Sequence, residues 1–121
     1  MVDQTKIKGI VSDTMAANAD IEGIIVCDSK GQVIFGHTLS DGIKHDDVAK
    51  LVVKISANSS SLTSGIDKGG LKEVSIAADD GFIVILGDVK MVLAGIAGEG
   101  SREQMGLIRM ALRRALLSMI S

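Results

Sequence analysis

The chain has 121 residues, of which 46% are hydrophobic and 23% are charged, and its formal net charge is -2. This length is sufficient for one domain with one hydrophobic core, so we expect a single domain over residues 1–121. Charged residues interrupt every apolar segment before the roughly 18 residues that a membrane span requires, so we expect no membrane insertion. Slight acidity and only two aromatic residues, both Phe, argue against nucleic acid as a partner.

The residue types that usually perform chemistry are few and scattered. Cys27 is the single cysteine, so no intramolecular disulfide can form, as is typical of a reducing compartment. The N-terminal segment MVDQTKIKG lacks the apolar core of a secretory signal. Neither His has a nucleophile or a paired carboxylate at a recognisable spacing, and no group has metal-ligand spacing. We therefore predict a cytoplasmic, non-enzymatic protein with no catalytic residue, no cofactor and no metal.

The first elements in chain order are a helix and a hairpin. Apolar residues from Ile7 to Met15 recur at helical spacing, Asp3 is available as a cap, and the helix is expected to end before Asn18. Residues 21–27 and 32–38 are rich in β-forming residues and are separated by the turn sequence DSKG. We predict that they pair as an antiparallel hairpin.

A second helix is predicted to start near Asp46, after a polar connection that holds Asp residues suited to capping. One side of this helix is expected to pack on the sheet through its large aliphatic residues, namely Val48, Leu51, Val52, Ile55 and Leu62. The opposite side is then apolar or small where a solvent face would be charged. These outward positions are Ala49, Val53, Ser56, Ala57 and Ser60. Because small residues permit close backbone approach, we predict that this line is an interface with a second subunit or another protein.

Three strands and a last helix follow. Residues 71–78 alternate, with Val74 and Ile76 on one face and Glu73 and Ser75 on the other, as is typical of an edge strand. The runs FIVILG and MVLAGIAG are apolar throughout, which predicts central strands buried on both faces. Ser101 to Gln104 resembles a capping box and predicts the start of a helix that runs nearly to the C-terminus. Its apolar stripe is Leu107, Ile108, Ala111, Leu112, Ala115, Leu116 and Met119.

The order of elements is thus αββαβββα, with short turns between neighbouring strands. This order predicts the α/β (α+β) class: a three-layer α/β/α sandwich on a five-stranded, mostly antiparallel sheet. Two segments suggest ligands. The glycine-rich stretch before the last helix resembles a phosphate loop but lacks the required Lys, so we interpret it as a turn. Arg102, Arg109 and Arg113 lie on one side of the last helix, as a solvated face or as a secondary site for a partner's acidic patch.

Several of these features together resemble the roadblock/dynein light chain superfamily, in particular a stand-alone prokaryotic member. They are the element order, the hairpin EGIIVCDSKGQVIFG, the Ser-rich end of the second helix, and ILGDVKMVLAGIAG before the last helix. Longin and profilin-like folds share parts of the pattern. The resemblance implies a sheet with strand order 2-1-5-4-3, with the first and third helices on one face and the second helix on the other.

The resemblance also implies an assembly and a function. Members dimerise by pairing their third strands edge to edge, with their second helices antiparallel, and the dimers regulate small Ras-like GTPases or join larger assemblies. For this chain the implied partners are a second copy and a small Ras-like GTPase. The implied interface adds Glu73, Val74, Ser75 and Ile76 to the helix-two positions. The alternatives are a small-molecule sensor domain and a structural subunit of a larger motor or signalling assembly.

Overall fold

Three α-helices and five strands form over residues 3–87 and 90–121, which are the residues that this computed structural model describes; Ser101 and Arg102 are described by their backbone alone. The elements in chain order are α1 (Gln4–Ala17), β1 (Ile21–Asp28), β2 (Val33–Thr38), α2 (His45–Gly65), β3 (Glu73–Ala78), β4 (Gly81–Gly87), β5 (Met91–Gly98), a 3-10 turn (Glu99–Gln104) and α3 (Met105–Ile120). The predicted element order is confirmed. None of the described helices is both long enough and apolar enough to cross a bilayer.

The strands form one sheet with the order β2-β1-β5-β4-β3, and each neighbouring pair is antiparallel. This is the order that the family resemblance implies. As predicted, β4 and β5 are interior strands, and most residues of both are buried. The prediction that β3 is an edge strand is also confirmed, because β4 is its neighbour in the described sheet and its other side is unpaired.

Helices α1 and α3 cover one face of the sheet. Their apolar residues, among them Val11 and Leu112, are fully buried with residues of the interior strands such as Ile24, Val84 and Leu93. Helix α2 covers the opposite face, where Ala49 and Val52 pack on a second buried cluster. The predicted three layers and the predicted side of each helix are therefore confirmed. The apolar runs of β4 and β5 follow from this arrangement, since helices pack on both of their faces.

Short-range polar contacts fix α1 and the first hairpin. The Asp3 carboxylate accepts a hydrogen bond from the Lys6 backbone N–H at 3.1 Å, so Asp3 caps α1 as predicted. In the hairpin turn, the Asp28 carboxylate accepts hydrogen bonds from the backbone N–H groups of Lys30 and Gln32 at 2.9 and 3.0 Å. Gly31 has a φ of +83°, which a residue with a side chain rarely adopts.

Helix α2 starts at His45, next to the predicted Asp46, whereas α3 starts later than predicted. Lys44 precedes α2 without a side-chain cap, and Asp46 lies in the first turn, where its charge interacts favourably with the helix dipole. A 3-10 turn occupies Glu99–Gln104, so α3 begins at Met105. Gln104 stands at the N-cap position of α3, but its side chain makes no capping hydrogen bond. The side chain of Ser101, predicted to cap this helix, lies outside the described residues.

Cys27 is 1% exposed and lies in the cluster beneath α2. Burial, and to a smaller extent the charge of Asp28, raises the pKa of its thiol to about 11. The thiol therefore stays protonated at neutral pH, and Cys27 behaves as a small apolar core residue.

Candidate functional site

Helix α2 turns Ala49 toward the sheet, where the sequence predicts that it faces outward, while Val52 faces the sheet as predicted. Ala49 is 0% exposed and Val52 is 5% exposed. Val53 is half-buried and packs on the same cluster. The prediction that Ala49 and Val53 point outward is therefore wrong. Of the other positions in that line, Ser56 and Ser60 are half-buried and Ala57 is exposed; their predicted role at an interface remains a prediction.

The reason is the close approach of α2 to the first hairpin. A β-carbon on Gly31 would lie 3.4 Å from Cα of Lys50 and 3.7 Å from the carbonyl oxygen of Ala49. The helix backbone thus lies directly against the turn, and a small side chain such as that of Ala49 fits between helix and sheet. The close backbone contact that small residues permit is made within the same chain.

Two of the large aliphatic residues of α2 are exposed. Leu51 and Leu62 are 59% and 63% exposed, although the sequence predicts that both pack on the sheet. With about 100° per residue, Leu51, Ile55 and Leu62 lie within about 40° of one another around the helix. We call this row the α2 stripe: Leu51 and Leu62 are its exposed members, and Val48 and Ile55 are half-buried and pack on the sheet cluster as the sequence predicts. The stripe lies on the flank of α2 opposite Lys50, which contacts the hairpin at the β2 edge, so it faces the β3 side of the sheet.

The sheet beside the α2 stripe is also only partly covered. Half-buried apolar side chains on this face come from β3, β4 and β5, namely Val74, Ile76, Ile83 and Ile96. The α2 stripe forms a wall and these four residues form a floor, and we call the two together the trough. The trough ends at the unpaired edge of β3. An exposed apolar surface that continues into an open strand edge is typical of a protein interface.

On the opposite face, Glu73 joins β3 to α3. Its carboxylate oxygens lie 2.6 Å from Nη2 of Arg113 and 2.6 Å from Nε of Arg109. The side chain of Glu73 is 13% exposed, and those of Arg109 and Arg113 are 44% and 47% exposed. The predicted row of arginines is therefore only partly available to a partner, because two members are paired within the chain. The side chain of the third, Arg102, lies outside the described residues.

The arginines also change the titration of Glu73. The hydrogen bond from Arg109 lowers the pKa of the Glu73 carboxyl below its ordinary 4.5, and Arg109's charge and hydrogen bonds from Ser75 and Arg113 act in the same direction. Because the pKa is lower in the folded protein, the resulting stability is present above pH 4.5 and is lost as the pH falls through the folded-state pKa.

We expect this pH dependence to disappear in Glu73→Gln. Wild type should be the more stable protein at neutral pH, and the difference in free energy of unfolding should shrink as the pH falls below 4.5. Urea titrations of both proteins from pH 3 to pH 7, at one protein concentration, measure the difference. A difference that stays constant over this range would contradict the assignment of the lowered pKa to Glu73.

The described residues offer little for chemistry. They contain no group of three side chains suited to hold a metal ion. Each described buried side-chain nitrogen or oxygen has a hydrogen-bond partner within the protein. The half-buried ring of His45 lies with Nε2 3.0 Å from Oγ1 of Thr38. The same hydroxyl lies 3.2 Å from the Ser40 carbonyl oxygen, and its contact with His45 fixes the start of α2 on β2.

Comparisons with known proteins agree with this geometry. No family model matches the sequence, and no curated protein matches it. Solved structures do match. MglB of Myxococcus xanthus superposes with a TM-score of 0.83 at 18% identity, over 93% of this chain and 84% of that chain. An MglB with a tetrameric arrangement superposes with a TM-score of 0.82 at 15% identity, over 93% of this chain and 83% of that chain. A Roadblock/LC7 domain from Streptomyces avermitilis superposes with a TM-score of 0.67 at 17% identity, over 88% of this chain and 93% of that chain.

The chain has the Roadblock/LC7 fold. The resemblance that the sequence suggested is thereby confirmed at the level of the fold, with the same element order and sheet order.

Proposed function

We propose that this protein is a non-enzymatic homodimer that binds a small Ras-like GTPase and modulates its nucleotide cycle. The observation that carries the proposal is the trough together with the unpaired β3 edge that it adjoins. Both belong to the Roadblock/LC7 fold, and the resemblance noted from the sequence implies dimerisation and GTPase binding for proteins of this kind, which supports the proposal.

A second copy of the chain fits the trough and the edge at the same time. Antiparallel pairing of β3 with its symmetry mate would join the two sheets and satisfy the open backbone groups of both edges. In a two-fold assembly each surface meets its own copy, and an apolar trough is complementary to itself. The α2 stripe of one copy would then cover the floor of the other, including Val74 and Ile76. The tetrameric arrangement of one MglB of this fold is a precedent for self-association.

The GTPase would bind to what remains exposed on the paired α2 helices. Lys50, Lys54 and Ala57 of α2 are exposed and lie outside the trough, with Lys50 next to the hairpin turn. A regulator of this type needs no nucleophile, because it acts by binding one nucleotide state more tightly than the other. The function therefore requires a rigid, dimeric surface, which the sheet and α2 would supply.

Two measurements, made one after the other, test the proposal. Sedimentation equilibrium should give twice the mass of one chain at micromolar concentration. Immobilised protein should then retain a small GTPase from the same genome, with different affinity for its GDP and GTP-analogue forms. The double variant Lys50→Glu with Lys54→Glu should stay dimeric and lose the GTPase. A wild-type protein that stays monomeric at high concentration would refute the dimer. A dimer that binds no small GTPase of the same genome, in either nucleotide state, would refute the proposed partner.

A further inference from the structure

The side chain of Glu73 connects the first residue of β3 to α3. Glu73 is the first residue of β3, and its carboxylate receives Arg113 on one oxygen and Arg109 on the other, each at 2.6 Å. The Ser75 hydroxyl donates to the second oxygen at 3.3 Å. Two guanidinium groups on a carboxylate that is only 13% exposed form a far more rigid contact than a single exposed ion pair.

The apolar core does not perform this role for β3. Among the described residues, the cluster beneath α1 and α3 contains none from β3. The apolar residues of β3, Val74 and Ile76, point to the α2 side, where they are half-buried in the floor of the trough. Ala77, on the same side of the strand as Glu73, is exposed. On the α3 side, the contacts of Glu73 with Arg109 and Arg113 therefore link the start of the edge strand to the helix.

We propose that Glu73, Arg109 and Arg113 form a latch that sets the geometry of the β3 edge for pairing with a second copy. Glu73 is then a positioning residue, and it acts on the interface from the opposite face of the sheet without contacting the partner. The proposal rests on the proposed homodimer.

The physical reason is the demand of edge pairing. Two strands pair only when their twist and register match, and an edge strand with one neighbour has more freedom to twist than an interior strand. The latch attaches the start of β3 to a helix that is itself buried along Leu112 and Leu116. The strand is thus held in one conformation before the second copy arrives, so less conformational entropy is lost on pairing.

Glu73→Gln tests the latch. We expect this variant to fold and its dimer dissociation constant to rise about tenfold, whereas Glu103→Gln, at an exposed glutamate of the 3-10 turn, should match wild type. Sedimentation over a concentration series measures all three proteins. If wild type dimerises and Glu73→Gln has the same dissociation constant, the latch is refuted and the homodimer stands. If wild type is a monomer throughout, the proposed homodimer itself fails.

A mutant cycle separates positioning from direct contact. Arg109→Gln with Arg113→Gln should weaken the dimer about as much as Glu73→Gln, and the triple variant should be no weaker than either. If Glu73 instead contacted the second copy, the arginine variants would leave its effect intact and the losses would add, which would refute the latch.

Hydrogen exchange gives a readout that does not depend on dimer formation. It uses Arg113→Gln, so it tests the latch even if Glu73→Gln folds poorly. In a monomeric background, Arg113→Gln should speed exchange of the β3 amides and leave the β5 amides unchanged. Equal protection of β3 with and without the substitution would overturn the proposal.

Discussion

Leu51→Glu is expected to separate the proposed dimer into folded monomers. Leu51 is 59% exposed in the single chain, so a carboxylate there remains in water and the free energy of unfolding of the monomer should change little. In the dimer the same position lies in the wall of the trough, and two-fold symmetry would bury two such charges against apolar surface. We expect the dissociation constant to rise by about 100-fold or more, measured by sedimentation.

A matched control is available on another helix. Leu117 of α3 is 57% exposed, almost the same as Leu51, but lies on the opposite face of the sheet. Leu117→Glu should therefore leave the dimer intact. If both variants dissociate, or if neither does, the trough is not the surface that joins the two copies.

Val53→Glu distinguishes the trough from the line of small residues. Because Val53 is half-buried against the sheet, its replacement should reduce the free energy of unfolding by about 2 kcal/mol, with the loss visible in the single chain. If Val53 faced a partner, dissociation without loss of stability would be observed instead.

Gly81→Ala is expected to lower the free energy of unfolding strongly. Gly81 opens β4, is buried, and pairs with Ala78 on one side and Gly98 on the other. A β-carbon there would collide with the carbonyl oxygen of Ala97 and lie 3.3 Å from Cα of Gly98. Both obstacles are backbone atoms of an interior strand, so they cannot rotate away. We expect a loss of about 3 kcal/mol in the free energy of unfolding.

Gly9→Ala provides the control with the opposite sign. Gly9 lies inside α1, is exposed, and has no atom within 4 Å of the position of an added β-carbon. The alanine should raise the free energy of unfolding by about 1 kcal/mol because it restricts the unfolded chain. Denaturant titration of both variants at one protein concentration tests the pair. If Gly81→Ala cost no more than a few tenths of a kcal/mol, the close approach of β4 and β5 would be wrong.

The fold was predictable because each of its signals is local. The Asp28 turn, the alternation of β3 and the unbroken apolar runs of β4 and β5 each depend on neighbouring residues, and short connections leave few ways to arrange them. The start of α3 was harder, since Ser101 to Gln104 matches a helix cap while the chain forms a 3-10 turn there. The choice between these two conformations depends on packing against other elements.

The candidate site was only partly predictable, since the rotation of α2 depends on contacts distant in sequence. Aliphatic periodicity favoured Leu51 and Leu62 as the buried side, but the hairpin turn at Gly31 approaches so closely that Ala49 faces the sheet instead. Likewise, nothing near Glu73 in the sequence indicates Arg109 and Arg113, which are more than thirty residues away. The strand edge, by contrast, followed directly from alternation.

The buried, protonated thiol of Cys27 makes the native chain almost inert to maleimide and other thiol reagents while it is folded. A cysteine introduced at the exposed Lys72, which directly precedes β3, would then be the single reactive position, with no need to replace the native one. A spin label or fluorophore placed there would report the distance between the two edges directly, in the otherwise unaltered protein.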